Sequence, residues 1–118
     1  PCDLKAYLQS KDALPSAVAM IKDLLGGDEN KLLDSARQAS PTHLLNSEIN
    51  IPPVLILHGK NDRLVPPLQS REFSAKAKAL GASDLKLDMV KGGHGFPGFG
   101  FKAIKTSIDF LSKRLKAG

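Results

Sequence analysis

Aromatic residues make up only 5% of this sequence, cysteine occurs once, and no uninterrupted apolar run approaches the roughly 20 residues that cross a bilayer. Each shortage excludes something. With Cys2 alone, no internal disulfide can form, so the fold must be held by packing. No membrane segment is expected. His43, His58 and His94 stand far apart with a single cysteine for company, which is not a metal-ligand pattern, and no metal or cofactor is expected. Seventeen Lys and Arg against twelve Asp and Glu give a net charge of +5, which would suit an anionic partner. The cations Lys78, Lys86, Lys91, Lys102, Lys105, Lys113, Arg114 and Lys116, however, fall where helices and strands turn toward solvent, with almost no aromatic residues between them. No nucleic-acid partner is expected from such a pattern. The 42% apolar and 25% charged content that remains is that of an ordinary globular chain.

Apolar spacing divides the chain into an α/β pattern. Ser16 is a candidate N-cap for a helix whose Ala17, Met20, Ile21 and Leu24 recur at helical intervals, and Gly26-Gly27 can close it. Lys31 to Ala39 predicts a shorter helix with Leu32, Leu33 and Ala36 as its stripe, ended by Ser40-Pro41. Residues 54–58 open with Val54-Leu55-Ile56-Leu57, continuous rather than alternating, which predicts a strand buried on both faces of a parallel sheet. Pro66-Pro67 can start a helix in which Phe73, Ala77 and Leu80 share a face, and residues 85–90 alternate as a strand wet on one side. Phe101, Ile104, Ile108, Leu111 and Leu115 then mark a long amphipathic helix. Two strands are few for an open sheet, and an interior strand at 54–58 calls for a neighbour on each side where the chain supplies one. The first half of a larger sheet is expected to be missing. An unpaired edge of that kind favours self-association, so a homo-oligomer through the strand edge is a further expectation.

Strand, helix and strand in this order form a crossover unit whose two strands run parallel, so both C-terminal strand ends lie on one edge of the sheet. Reacting groups gather at that edge in α/β sheets. The loop after the first strand carries Asp62, and the loop after the second carries His94. A carboxylate bonded to one imidazole nitrogen leaves the other free to accept a proton from a nucleophile. Taken by themselves the two residues also have plainer readings, Asp62 as a turn cap and His94 as a loop residue bonded to backbone.

The stretch His58-Gly59-Lys60-Asn61-Asp62-Arg63-Leu64-Val65-Pro66 resembles the acid loop of α/β-hydrolases, H-G-x-x-D-x-x-V-P, and Gly92-Gly93-His94-Gly95-Phe96 resembles their histidine loop. Leu24-Leu25-Gly26-Gly27, Ala39-Ser40-Pro41 and Pro1-Cys2-Asp3-Leu4 are similar to the esterase and lipase branch that includes acetyl-xylan and feruloyl esterases. The acid and histidine loops of prolyl-oligopeptidase-type peptidases are also similar. The resemblance implies that residues 1–118 are the C-terminal portion of a single α/β-hydrolase domain. It implies Asp62 and His94 as the acid and base of a catalytic triad, His58 in a structural role, and a small-molecule or carbohydrate ester as substrate.

The family's nucleophile elbow, G-x-S-x-G, is nowhere in the sequence. Ser83 lacks the second glycine and precedes the last strand, Ser40 reads as a turn residue, and Cys2 has no flanking elbow glycines. The chain alone is therefore expected to be inactive. A stand-alone interaction module with a degenerate hydrolase core is the alternative from another class. Gly93-His94-Gly95-Phe96-Pro97-Gly98 also spells G-x-G-x-x-G between a strand and a helix, but Pro97 removes a donor from any phosphate cradle, and no strand follows to carry a ribose-binding acid.

Overall fold

The computed structural model describes residues 1–117. Four helices come first: α1 (Leu4–Gln9), α2 (Pro15–Leu24), α3 (Leu32–Gln38) and the single turn α4 (Pro41–Leu44). Strand β1 (Val54–Gly59), helix α5 (Leu68–Ala79), strand β2 (Leu85–Val90) and helix α6 (Gly100–Ala117) complete the order. The strands pair in parallel, with Val54 opposite Leu85 and Gly59 opposite Val90, so their C-terminal ends are level. Among the described residues no helix is long and apolar enough to cross a membrane.

Helix α1 escaped the periodicity because six residues hold too little of a 3.6-residue pattern to register. Its start is local chemistry, since the Asp3 carboxylate accepts from Ala6 N at 2.9 Å. Helix α2 begins at Pro15 with Leu14 as N-cap, two residues before the expected N-cap Ser16. Proline fits there because the first turn of a helix has no use for its missing N–H. The closing glycines behave as expected: Gly26 and Gly27 have φ of 93° and 74°, and Gly27 N bonds back to Lys22 O at 3.0 Å. Ser40-Pro41 ends α3 but also starts α4, with Ser40 fully buried. Its hydroxyl donates to Ala36 O at 2.6 Å and accepts from Leu4 N at 2.8 Å, tying α3 to α1.

The main apolar cluster lies in this helical part, where Leu4, Tyr7, Ile21 and Ala36 are buried with Leu8, Ala17, Val18 and Leu25 packed around them. The face that α2 buries is rotated from the expected stripe. Ile21 is inside, whereas Met20 and Leu24 are 72% and 76% exposed. Helix α5 packs on β2, and on the expected face Ala77 is buried and Phe73 and Leu80 are half-buried.

Two expectations meet a different outcome in the strands and in α6. Among the described residues strand β1 is paired with β2 on one side only, and Val54 to Leu57 are half-buried rather than enclosed. In α6 the 3,4-spaced stripe forms a helix but has no cover: Phe101, Ile104, Ile108, Leu111 and Leu115 are 55–84% exposed, and the helix buries Ala103 and Phe110 instead. Arg114, expected on a solvated face, lies flat 3.4 Å from the Phe110 ring centroid and forms a two-pronged pair with Asp84. The radius of gyration, 15.7 Å, exceeds the roughly 13.5 Å of a compact domain of this length. The principal extents, 48 × 39 × 20 Å, show a flattened rather than a spherical arrangement.

Candidate active site

The C-terminal ends of β1 and β2 are laced together by backbone. Lys60 N donates to Val90 O at 2.8 Å and Asn61 N to Gly92 O at 2.9 Å, so the loop after β1 lies against the loop after β2. The approach is close enough to require glycine at position 59. A Cβ there would overlap Gly93 O and stand 2.7 Å from Gly92 O, and these nearest atoms are backbone, not the end of a flexible side chain that could move aside. Gly95, just past His94, has φ 76°, which turns the loop back after the imidazole.

This lacing brings the two expected residues together. Nδ1 of His94 lies 2.8 Å from Oδ2 of Asp62. Asp62 also fulfils the plainer reading, because its other oxygen, Oδ1, accepts from Leu64 N at 2.9 Å and Val65 N at 2.8 Å. One carboxylate therefore caps its own turn with one oxygen and orients the imidazole with the other. The Asp62 side chain is 4% exposed and that of His94 57%. Among the described residues Nε2 of His94 makes no hydrogen bond, and the ring forms part of the wall of a 290 Å³ cavity shared with Leu57, His58, Asp62, Val65 and Phe96.

The acid turn is gripped by residues that the motifs did not single out. Tyr7, 1% exposed in the helical core, donates its hydroxyl to Leu64 O at 2.7 Å. His58 lies 2.8 Å from Val65 O through Nε2, which must carry a proton because a carbonyl only accepts. The same nitrogen is 3.3 Å from Asp62 Oδ2, and the Ser70 hydroxyl meets the opposite ring nitrogen. Both peptide groups of Leu64 and Val65 are thus bonded at each end, N–H to Asp62 and C=O to Tyr7 or His58. A turn saturated in this way has no other low-energy position for its carboxylate. The motif placed His58 in a structural role, and the geometry specifies what it holds. Nothing in the sequence pointed to Tyr7, which stands 57 residues from its acceptor.

Burial raises the Asp62 pKa, but the Val65 N–H, His94 and the Leu64 N–H together outweigh it and hold the carboxyl below its ordinary value. A depressed carboxyl stabilises the fold above the unfolded-state value of about 3.9, and that stabilisation is lost as pH falls through the lower folded-state value. An acid titration of folding should accordingly be steeper below about pH 4 in the native protein than in Asp62→Asn, which has no proton to take up.

None of the remaining candidates has the surroundings of an activated nucleophile. Cys2 lines the cavity, but burial pushes its thiol pKa up, away from the thiolate that attacks. Ser40 is bonded on both sides in the core, and Ser83 is an exposed residue of the turn before β2. Nε2 of His43 is 3.1 Å from Asp3 Oδ1, a contact within the packing of α4 against the N-terminal segment.

The BD-FAE family model matches residues 1–77, which hold Tyr7, His58, Gly59 and Asp62. The chain belongs to the BD-FAE family. BD-FAE proteins are esterase-like members of the α/β-hydrolase superfamily, and two parallel strands with flanking helices are compatible with part of that fold. The BD-FAE match stops short of His94, whose place beside Asp62 rests on the geometry alone. A 58-residue stretch is 38% identical to Esterase LipQ of Mycobacterium tuberculosis, covering 49% of this chain and 13% of that protein. The chain therefore spans a small part of the relative's length. No solved structure matches it.

Proposed function

We propose that the protein is part of a serine carboxylic ester hydrolase that works through an acyl-enzyme, with Asp62 and His94 supplying two members of the triad. The reading rests on the 2.8 Å contact between Asp62 Oδ2 and His94 Nδ1, in the wall of a cavity that both residues line. In this arrangement Nδ1 carries the proton bonded to Asp62 and Nε2 is the base. A serine outside residues 1–118 gives its proton to Nε2 as its oxygen adds to the ester carbonyl. His94 then returns that proton to the departing alcohol, leaving the acyl-serine. Water enters by the same route in reverse, and the serine is restored as the acid departs.

Residues 1–118 are, on the same reading, the C-terminal portion of one hydrolase domain. The support is physical: five apolar residues of α6 face solvent and β1 has one paired edge, which further strands of a larger sheet would cover. Small-molecule or carbohydrate esters are the expected substrates, in keeping with the resemblance to acetyl-xylan and feruloyl esterases. The 118-residue chain alone should hydrolyse an activated ester no faster than free imidazole, since nothing in it attacks. Incubation of the full-length protein with p-nitrophenyl acetate and with chromogenic dipeptides tests the assignment. Ester turnover is expected, and cleavage of the dipeptides with the ester untouched would overturn it in favour of a peptidase.

A further inference from the structure

The loop between β2 and α6 contains two turns that meet at Phe96. Phe96 N donates to Gly93 O at 3.1 Å and closes the first, in which His94 and Gly95 are the central residues. Phe99 N donates to Phe96 O at 2.8 Å and closes the second, around Pro97 and Gly98. Gly95 and Gly98, with φ of 76° and 78°, supply the left-handed residue that a type II turn takes in third place. His94 thus stands at the tip of a turn whose closing bond is made by Phe96.

Joining the two turns sets Phe96 itself at φ 56°. Among the described residues six other positions have a positive φ, and every one of them is glycine. Left-handed backbone is costly for a residue with a side chain, because Cβ crowds the following carbonyl oxygen, and a bulky residue is a true outlier there. Glycine or asparagine would take the position with less strain. A residue in such a conformation persists only where its surroundings hold it, and these positions gather at active sites. Here the surroundings are the catalytic cavity, since Phe96 is half-buried and walls the same 290 Å³ space as Asp62 and His94. The side chain is therefore kept at the expense of the backbone, two residues from His94.

We propose that Phe96 is a positioning residue for His94. Its half-buried side chain anchors the joint between the two turns, and the anchored joint keeps the bond from Phe96 N to Gly93 O closed around His94. Among the described residues the imidazole is hydrogen-bonded only through Nδ1, to Asp62, so the turn beneath it is the second restraint on its direction. With the side chain removed, residue 96 samples other values of φ, the closing bond opens, and Nδ1 is no longer held against Oδ2 of Asp62. The ring can then place its proton on Nε2, which a base must keep free. This assignment rests on the proposed esterase chemistry, but the placement of the imidazole can be read without turnover.

Substitutions at this position separate the side chain from the backbone. Phe96→Gly and Phe96→Asn accept the left-handed conformation without the ring, Phe96→Ala has neither, and Phe96→Tyr keeps the ring. Phe96→Gly should unfold at a higher temperature than Phe96→Ala, because it removes a strain that alanine retains. In the full-length protein acting on p-nitrophenyl acetate, all three variants without the ring should nonetheless lose kcat on the order of tenfold to a hundredfold, with KM within about twofold of native. Phe96→Tyr should restore the rate. The imidazole nitrogen resonances of His94, assigned by their loss in His94→Gln, should show the proton on Nδ1 in the native protein and both tautomers in Phe96→Gly. Native kcat in Phe96→Gly and Phe96→Asn would show that the joint needs only a left-handed residue, and would overturn the proposal. A loss carried by KM would assign the ring to substrate contact and overturn it as well, as would a His94 tautomer indifferent to Phe96→Gly. A native protein that hydrolyses no ester, with its His94 tautomer still dependent on Phe96, would uphold the positioning and overturn the esterase reading.

Discussion

Asp62→Asn should lower kcat of the full-length hydrolase on the order of ten-thousandfold while leaving the fold close to intact. The size of the effect comes from the way the acid turn constrains the replacement. Oδ1 of Asp62 accepts from Leu64 N and Val65 N, and only the oxygen of an asparagine amide can take its place there. The amide nitrogen must then face His94, where it donates to Nδ1. His94 is forced into the tautomer that carries its proton on Nε2, and a protonated Nε2 cannot accept the proton of a serine. The capped turn survives, so thermal unfolding should move by only a few degrees. An Asp62→Asn enzyme within tenfold of the native rate would mean that His94 is oriented by something else.

Gly59→Ala should be the next most damaging small change. The added methyl would overlap Gly93 O and press on Gly92 O at 2.7 Å, and these carbonyls belong to the loop that carries His94. Overpacking against backbone costs about 1–3 kcal/mol. A displacement of about 1 Å at a reacting group can cost around a hundredfold in rate. Both should appear here, as a lowered unfolding midpoint and a fall in kcat. Gly81→Ala is the control. Its φ of 102° strains any side chain, but nothing lies within 4 Å of the added methyl, so stability should drop by about 1 kcal/mol with kcat unchanged. Equal kinetic losses in the two variants would mean that backbone strain, and not the contact between the two loops, is what the enzyme feels.

The residues that the sequence disclosed and those it hid differ in a simple way. Asp62 and His94 were legible because a crossover unit puts two strand ends on one edge, a rule that needs no side-chain detail. The observed register, with Gly59 opposite Val90, is that rule realised. Tyr7 was not legible because a lone tyrosine on a six-residue helix leaves no periodic trace, and its bond to Leu64 O depends on how α1 packs. His58 was marked by its motif, but that its Nε2 holds Val65 O is a fact of three dimensions. Helix α6 is the opposite case. Its stripe from Phe101 to Leu115 predicted the helix but not what the helix would face, and the described residues leave that stripe in solvent. Periodicity reports that a face is meant to be buried, and the partner must come from elsewhere in the structure.

The central claim is that Asp62 and His94 activate a serine that these 118 residues do not contain. An alkyl fluorophosphonate, which an activated serine attacks with loss of fluoride, tests it directly in the full-length protein. One adduct per molecule is expected, on a serine outside residues 1–118, formed at least a hundredfold more slowly in His94→Ala. An adduct on Cys2, Ser40 or Ser83, or a labelling rate that ignores His94, would contradict it.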